Sequence, residues 1–257
     1  YHDDLMLFPI FISLTTIFII TFIGFVDDSI IRKNKEESGG LKQWQKPLLT
    51  LVAAVPLMAL NVGVSSMSFP FIGNVDLGIL YPLLFVPITV VIASNMVNLL
   101  AGINGLEAGL GIIYMGMLGL FAIVHKNYFV AVLALTTFAS LIAFMKYNWM
   151  PAKILPGDSL TYLLGAVLAC IAIVGNMEKA VMIVAIPFAI EFFLKARSKF
   201  KAPSYGYYKN GKVASLSGRK IYSLVHFFSR TEKFNEKQIT ISLMAFEFLI
   251  SLAIWII

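Results

Sequence analysis

Eight long blocks of apolar residues constrain the fold of this 257-residue chain more than any other feature. A helix needs about 20 mostly apolar residues to cross a bilayer. The blocks show no period-two alternation, and in lipid only helices or closed barrels satisfy their own backbone hydrogen bonds. The sequence therefore predicts an all-α, multi-pass transmembrane bundle of about eight spans that forms a single domain over 1–257. The predicted spans are 5–26, 47–64, 80–99, 106–124, 128–146, 159–175, 179–195 and 238–257.

The low charge content agrees with a bilayer environment. Charged residues make up 13% of the chain, against roughly 25% in soluble domains. The single cysteine, Cys170, lies within an apolar block and has no second cysteine to pair with. We interpret it as a packing residue.

The basic residues fall almost entirely on one side of the predicted membrane. Eight spans place 27–46, the region around Leu100, 147–158 and 196–237 on the same side. When Lys146 and Lys195 at span ends are counted with the nearer loop, this side holds 18 of the 20 Lys and Arg. The other side keeps Lys126 and Lys179. By the positive-inside bias, the basic side is cytoplasmic. The chain starts without Met and without a basic segment before its first apolar block, so we expect an upstream span to precede it.

Two adjacent carboxylates, Asp27 and Asp28, end the first apolar block. Such a pair repels unless a cation or a basic group offsets it. One interpretation is a hydrated helix end. The other is a site for Mg²⁺, which prefers one or two carboxylates together with substrate phosphates.

A second polar cluster begins in the last turns of the third block and continues past its end. Asn95, Asn98 and Gly102 share one helical face, and Asn104 and Glu107 come directly after them. Small residues of this kind also serve helix packing, but the amides and the glutamate favour a polar site. Asp158 precedes the sixth block. It suits an N-cap, yet it returns to the same membrane face as the other polar groups.

The segment 196–237 is a basic cytoplasmic loop. It carries ten Lys and Arg against two Glu, a net charge of +8. Attraction to anionic lipid and clamping of nucleotide phosphates are both open interpretations. No Walker loop, zinc spacing or Ser-His-Asp order occurs, and we expect no nucleic-acid partner.

Four segments resemble the polyprenyl-phosphate N-acetylhexosamine-1-phosphate transferases, most of all the eukaryotic and archaeal dolichyl-phosphate GlcNAc-1-phosphotransferase branch. They are 24–28 (GFVDD), 75–81 (VDLGILY), 95–109 (NMVNLLAGINGLEAG) and 147–162 (YNWMPAKILPGDSLTY). The resemblance implies that UDP-GlcNAc and a polyprenyl or dolichyl phosphate give polyprenyl-diphosphate-GlcNAc and UMP. This is the first step of lipid-linked oligosaccharide synthesis for protein N-glycosylation. It also implies Mg²⁺, with Mn²⁺ as the alternative metal.

The same resemblance implies residue roles. Asn98 and Asp158 are similar to the metal ligands. Asp27 and Asp28 resemble the acidic pair at the reacting phosphates, and Lys46 resembles the lysine that contacts phosphate. The implied substrate-binding group is Asn95, Gly102, Asn104, Glu107, Arg197, Lys199 and Lys201, with Glu107 supporting the loop.

Two departures from the family pattern stand out. Lys199 and Lys201 take the places of two arginines before a proline, and lysine lacks the bidentate fork of arginine. The insert 34–40 between Asp28 and Lys46 is longer and more polar than in the eukaryotic enzymes.

Several alternatives stay open at this stage. Another UDP-N-acetylhexosamine donor, such as UDP-MurNAc-pentapeptide, is one, although bacterial relatives carry a histidine-rich late loop and this loop has only His226. A transporter is another, since intramembrane carboxylates occur there too. A homodimer and a covalent aspartyl intermediate are also open, with direct attack favoured. An archaeal-type cell membrane is favoured over the endoplasmic reticulum.

Overall fold

The computed structural model describes residues 2–33, 40–42, 44–60, 66–69 and 73–257. Apart from Gly40, the predicted insert 34–40 lies outside the described residues. The chain divides into two compact units, each drawn from two separate stretches. The first unit takes the described residues of 1–98 together with Gly157–Val181, and the second takes Leu99–Pro156 together with Met182–Ile257.

Helices occupy most of the described residues of all eight predicted apolar blocks. Among the described residues, five are long and apolar enough to cross a membrane: Leu7–Ile30, Tyr81–Leu99, Leu106–Val124, Tyr128–Asn148 and Glu236–Ile256. Gln45–Leu60 and Gly157–Ile173 are shorter apolar helical segments. The prediction of an all-α, multi-pass membrane protein is confirmed.

The first unit is built around α1 and α7. Its helices are α1 (His2–Lys33), α2 (Gln45–Ala53), α3 (Val55–Leu60), a π-helical turn (Tyr81–Phe85) that leads into α4 (Val86–Leu99), and, after α5 (Leu106–Val124) and α6 (Tyr128–Asn148) of the second unit, α7 (Gly157–Ile173). The helix α1 packs along α7 and also contacts α2 and α3. The boundary between the units falls within α8 (Glu178–Val184).

Two glycines let helices of the first unit approach closely. A Cβ built on Gly24 of α1 would lie 2.5 Å from the carbonyl oxygen of Asp158. A Cβ on Gly165 of α7 would lie 2.5 Å from the carbonyl oxygen of Ala93 in α4. Because real Cβ atoms do not come so near to backbone, glycine is required at both contacts.

The second unit packs α5 between two partners. Its elements are α5 (Leu106–Val124), α6 (Tyr128–Asn148), α9 (Ile186–Ala196), β3 (Gly206–Lys209), β4 (Lys212–Ser215), α10 (His226–Ser229), α11 (Glu236–Leu252) and a final 3-10 turn (Ala253–Ile256). The helix α5 contacts α6 and α11. The Tyr114 ring of α5 meets the Phe188 ring of α9 edge-on, with centroids 5.8 Å apart.

Two β-hairpins were not predicted. The first pairs β1 (Ser66–Phe69) with β2 (Gly73–Asp76), and the second pairs β3 with β4, both antiparallel. Asn210 and Gly211 join β3 to β4 with φ of 52° and 74°. Positive φ at both positions is the type I′ turn that Asn-Gly favours.

Two predicted spans are each broken into two helices. The block 47–64 breaks at Ala54, between α2 and α3, and the block 179–195 breaks at Ala185, between α8 and α9. Each break comes two residues before a proline, Pro56 or Pro187. Proline lacks the N–H of a helix interior but suits the first turn of a new helix, so each new helix starts there.

Candidate active site

Lys46 joins two carboxylates in the first unit. Asp27 lies near the end of α1, Lys46 in the first turn of α2 and Asp158 in the first turn of α7. The Lys46 Nζ atom is 2.5 Å from Asp27 Oδ2 and 2.8 Å from Asp158 Oδ2. The Asp27 side chain is fully buried, whereas those of Lys46 and Asp158 are 15% and 20% exposed. One ammonium group therefore offsets two carboxylates at a site that solvent can still reach.

Asp28, next to Asp27, faces a different set of partners. Its Oδ1 accepts a hydrogen bond from the Asp158 backbone N–H (2.9 Å), and its Oδ2 accepts from the N–H and the hydroxyl of Ser159 (3.0 and 2.6 Å). First-turn amides of a helix lack intrahelical partners, so Asp28 caps α7 from the neighbouring helix. Gly157 has a φ of +63°, and a Cβ there would come within 2.5 Å of Asp28 Oδ2. The cap at this position thus comes from Asp28, and Asp158 directs its carboxylate to Lys46.

Asn98 and Asn95 connect α4 to this cluster. Asn98 Nδ2 donates to Asp158 Oδ2 (3.0 Å), and its Oδ1 accepts from the Thr161 hydroxyl (3.1 Å). Asn95 Nδ2 donates to the Thr50 hydroxyl (3.1 Å), and its Oδ1 accepts from the Tyr162 hydroxyl (3.3 Å). Asn98 therefore touches the charged cluster directly, whereas Asn95 links α4 to α2 and α7.

Sequence reasoning missed three hydroxyl residues of this network. Thr50 lies on α2, and Thr161 and Tyr162 lie on α7 in the stretch 157–162 (GDSLTY). A polar side chain buried in an apolar helix needs a hydrogen-bond partner. Thr50 and Thr161 inside predicted spans were therefore a usable signal for a polar network beside the asparagines.

The donor set of the first unit suits Mg²⁺. It offers the carboxylates of Asp27 and Asp158 and, after rotation of its amide, the Oδ1 atom of Asn98. Among the described residues, no group of three His, Cys, Asp or Glu side chains is placed to form a cage for a metal by itself. Magnesium needs no such cage, because it takes one or two carboxylates and completes its shell with waters and substrate phosphates.

In the second unit, the loop before α5 is held by Glu107. Gly102 has a φ of +108°, and its N–H donates to Glu107 Oε1 (2.7 Å). Glu107 is buried in the first turn of α5. The glutamate therefore fixes the loop in a backbone conformation that favours glycine.

Asn104 is held by α11. Its backbone N–H donates to Glu236 Oε1 (2.8 Å), and its Nδ2 donates to Glu236 Oε2 (3.3 Å). The Thr240 hydroxyl, one turn further along α11, donates to the Asn104 carbonyl (3.1 Å). Glu236 Oε2 also accepts from the Tyr208 hydroxyl of β3. Burial and the neighbouring Glu236 raise the pKa of Tyr208 to about 12, so this hydroxyl stays a donor at neutral pH.

The predicted basic residues Arg197, Lys199 and Lys201 lie in the turn after α9, and all three are exposed. The turn is held from inside by Lys195, whose Nζ donates to the Ala202 carbonyl (2.7 Å). With Lys195 directed inward, the three exposed cations are free to meet a ligand or a lipid surface.

Two buried groups organise the rest of the basic loop. Glu191 Oε2 accepts from the Leu224 N–H (2.7 Å), and its Oε1 accepts from the Ser204 hydroxyl (3.3 Å). A ring nitrogen of His226 lies 3.0 Å from the Pro203 carbonyl. Burial lowers the pKa of His226, so the imidazole is neutral at neutral pH and its role here is to hold the loop.

A small cavity opens where the Gly102 loop meets the β3–β4 hairpin. Tyr205 packs over Gly102, since a Cβ there would lie 3.2 Å from the tyrosine ring. The cavity is lined by Gly102, Ile103, Tyr205, Gly206, Tyr207, Tyr208, Val213 and Glu236. Its wall includes three tyrosines and one carboxylate.

Known proteins resemble this chain over most of its length. A protein of Saccharolobus solfataricus is 37% identical over 89% of this chain and 69% of its own length. A protein of Sulfolobus acidocaldarius is 32% identical over 91% of this chain and 69% of its own length. Both carry the provisional name UDP-N-acetylglucosamine–dolichyl-phosphate N-acetylglucosaminephosphotransferase.

A bacterial protein from Lactiplantibacillus plantarum, named phospho-N-acetylmuramoyl-pentapeptide-transferase, is 37% identical over 66% of this chain and 53% of its own length. The sequence profile of glycosyl transferase family 4 matches residues 10–176, a range that includes the Lys46 cluster and the Gly102 loop. With more than half of the chain matched, this protein belongs to glycosyl transferase family 4.

Proposed function

We propose that the chain transfers GlcNAc-1-phosphate from UDP-GlcNAc to a membrane polyprenyl or dolichyl phosphate, releasing UMP. The observation that carries the proposal is the match to two archaeal relatives named for this reaction, over 89% and 91% of this chain. The Asp27–Lys46–Asp158 cluster supports it with an ammonium group that can contact phosphate and with carboxylate oxygens that could hold Mg²⁺. Family membership favours an enzyme over the transporter alternative.

The acceptor needs little activation. A phosphate monoester has a second pKa near 6 and is mostly dianionic at neutral pH. Its oxygen attacks the phosphorus that carries the sugar, and the bond from that phosphorus to the bridging oxygen of UMP breaks. Lys46 offsets the repulsion between the two anionic substrates. Asp27 orients the lysine and accepts the proton from the fraction of the acceptor phosphate that is still monoanionic. Asp28 holds Asp158 in place.

Asp158 and Asn98 are the residues that would hold a Mg²⁺ ion, with Mn²⁺ as its substitute. When bound, such an ion supplies charge stabilisation to the diphosphate and to the departing UMP. Asp158 remains bound to Lys46 in the structure. Lys46 therefore lies beside the carboxylate that would hold the ion, where its ammonium group can contact a substrate phosphate directly.

Substrate contacts are proposed for the second unit as well. Gly102 and Asn104 contact the nucleotide, while Arg197, Lys199 and Lys201 contact the diphosphate and the sugar. The charge bias of the loops supports a cytoplasmic position for these groups, and we propose an archaeal-type cell membrane as the location of the chain.

The test is UMP release by the purified protein in detergent, given UDP-GlcNAc, a polyprenyl phosphate and Mg²⁺. We expect release that requires both the lipid and the metal and stops with EDTA. Release without the lipid would indicate a hydrolase instead. No release under any of these conditions, from protein shown to be folded by its thermal transition, would overturn the proposal.

The donor is tested by exchange of the UDP-sugar. We expect a higher kcat/KM with UDP-GlcNAc than with UDP-MurNAc-pentapeptide, the donor that the bacterial relatives' name suggests. The reverse order would keep the phosphosugar transfer and replace the donor.

A further inference from the structure

We propose that Glu236 is a positioning residue for the donor nucleotide: it fixes the orientation of Asn104 and fastens the β3–β4 hairpin beside it. This inference rests on the proposed function, in which Asn104 contacts the nucleotide. It gives a role to one of only two acidic residues in the basic loop, whose other acid is Glu232.

Glu236 stands on a rigid helix end. Asn235 caps α11 by accepting from the Gln238 N–H (2.8 Å), and the Gln238 side chain accepts in return from the Asn235 N–H (2.9 Å). This reciprocal capping box fixes the first turn of the helix. The Glu236 carboxylate therefore projects from a well-defined position.

From that position Glu236 holds one residue at two points. Its two carboxylate oxygens accept from the backbone N–H and from the side-chain Nδ2 of Asn104, while Thr240 binds the Asn104 carbonyl. An ionised carboxylate only accepts, so the nitrogen end of the Asn104 amide must face it. The amide oxygen, Oδ1, then points away and receives no hydrogen bond from the described part of the chain.

The same carboxylate reaches the hairpin. The Tyr208 hydroxyl donates to Glu236 Oε2, and Tyr208 and Glu236 both line the cavity beside Gly102. One carboxylate thus holds both Tyr208 of the hairpin and Asn104, the residue after the lining residue Ile103, and leaves a hydrogen-bond acceptor, Asn104 Oδ1, available to a donor group on a ligand. Loss of the carboxylate frees both the amide and the hairpin.

The consequence for the reaction is specific. Asn104 contacts no reacting phosphate in the proposed mechanism, so a loose Asn104 weakens donor binding and leaves the chemical step intact. We expect Glu236→Gln to raise the KM for UDP-GlcNAc about tenfold, as expected when binding shared by ground and transition states is lost. The kcat and the KM for the polyprenyl phosphate should stay within about twofold.

A matched control exists in the same loop. Glu232 pairs with Lys209, the residue after Tyr208, at 2.6 Å, and both side chains are about half exposed. Glu232→Gln removes the same charge next to the same hairpin without touching Asn104. It should leave the donor KM unchanged, which separates positioning from a general effect of loop charge.

A measurement without substrate separates this inference from the proposed function. Amide hydrogen exchange of the unliganded protein should show faster exchange at Asn104 in Glu236→Gln than in the wild type and in Glu232→Gln. Tyr208→Phe, at an exposed position, keeps the Asn104 clamp and should free the hairpin alone. Exchange at Asn104 that does not change in Glu236→Gln overturns the clamp, even if the wild type turns over no UDP-GlcNAc. Faster exchange with an unchanged donor KM in an active enzyme overturns the role in nucleotide positioning.

Discussion

Two adjacent aspartates have different roles because they lie on a helix. Successive residues of an α-helix point about 100° apart, so Asp27 reaches Lys46 while Asp28 reaches the first turn of α7. The sequence motif suggests a functional pair, but the structure separates a residue in the charged cluster from a residue that places Asp158.

We expect Asp28→Asn to lower the melting temperature of the purified protein and also its turnover. Asparagine replaces one of the two accepting oxygens by a donor, and loss of a helix cap costs about 1 kcal/mol. Turnover should fall because Asp158 lies in the first turn of α7 and moves when that turn moves. Thermal unfolding in detergent and UMP release measure the two effects, with Ser29→Ala on the same helix as the control. Lost turnover at an unchanged melting temperature would place Asp28 at the reacting phosphates instead.

Metal binding can be measured at Asp158 without catalysis. A ligand that binds only the folded state raises its stability by mass action, so Mg²⁺ should raise the melting temperature of the wild type. Asp158→Asn should abolish this rise, because an amide is a weaker ligand than a carboxylate for a hard cation. Asp76→Asn, at an exposed hairpin position, should keep it. An undiminished Mg²⁺ effect in Asp158→Asn would remove this residue from the metal site.

At the level of elements, apolar length predicts the helices but not the structures between them. The described residues of all eight blocks are mostly helical, since in lipid a helix is the simplest way to satisfy the backbone. The β3–β4 hairpin lies in the basic loop 196–237, whose charge is its most conspicuous sequence feature. The Asn210-Gly211 pair in this loop favours a tight hairpin turn and could have indicated the hairpin. Pro56 and Pro187 likewise indicate where their helices break.

The candidate site was only partly predictable for a related reason. Carboxylates and amides stand out in an apolar chain, so Asp27, Asp158 and Asn98 could be named from the sequence pattern, whereas Lys46 was named only by the family resemblance. Their partners could not, because hydrogen bonds such as Asn95–Thr50 or Asn104–Glu236 join residues far apart in the chain. Those pairings depend on helix packing, which an isolated sequence pattern does not specify.

Close packing of α7 on α4 should control the charged cluster. Gly165→Ala would place a methyl group against the backbone of Ala93 and Ser94, and over-packing of this kind costs about 1–3 kcal/mol. We expect a lower melting temperature and lower turnover, because Asn98 on α4 would move relative to Asp158 on α7.

The matched control for this substitution is Gly109→Ala in α5. Its added methyl group would meet the flexible end of Met244, which can move at little cost. It should therefore perturb stability much less. Equal losses in the two variants would show that helix propensity or lipid contact, and not the α4–α7 approach, limits this position.

At the scale of the whole molecule, charge is the clearest organising feature. The chain carries a net charge of +6, and the segment 196–237 alone carries +8, so the rest of the chain is slightly acidic. Concentrated positive charge beside the spans serves both orientation in the membrane and attraction of anionic substrates. The proposed cytoplasmic face of the enzyme follows from this asymmetry.

The orientation of the chain in the membrane can be tested by cysteine labelling, with the chain's own cysteine as the negative control. Cys170 is fully buried in α7, so a membrane-impermeant maleimide should not label the wild type. Leu216→Cys, at a position 54% exposed in the basic loop, should be labelled only after permeabilisation of intact cells. His125→Cys, exposed in the loop between α5 and α6, should be labelled without it, because one membrane span, α5, separates that loop from the Gly102 region, which is proposed to be cytoplasmic. Labelling of Leu216→Cys in intact cells, with protection of His125→Cys, would show that the topology is the reverse of the one proposed. UDP-GlcNAc would then have to be supplied from the other side of the membrane.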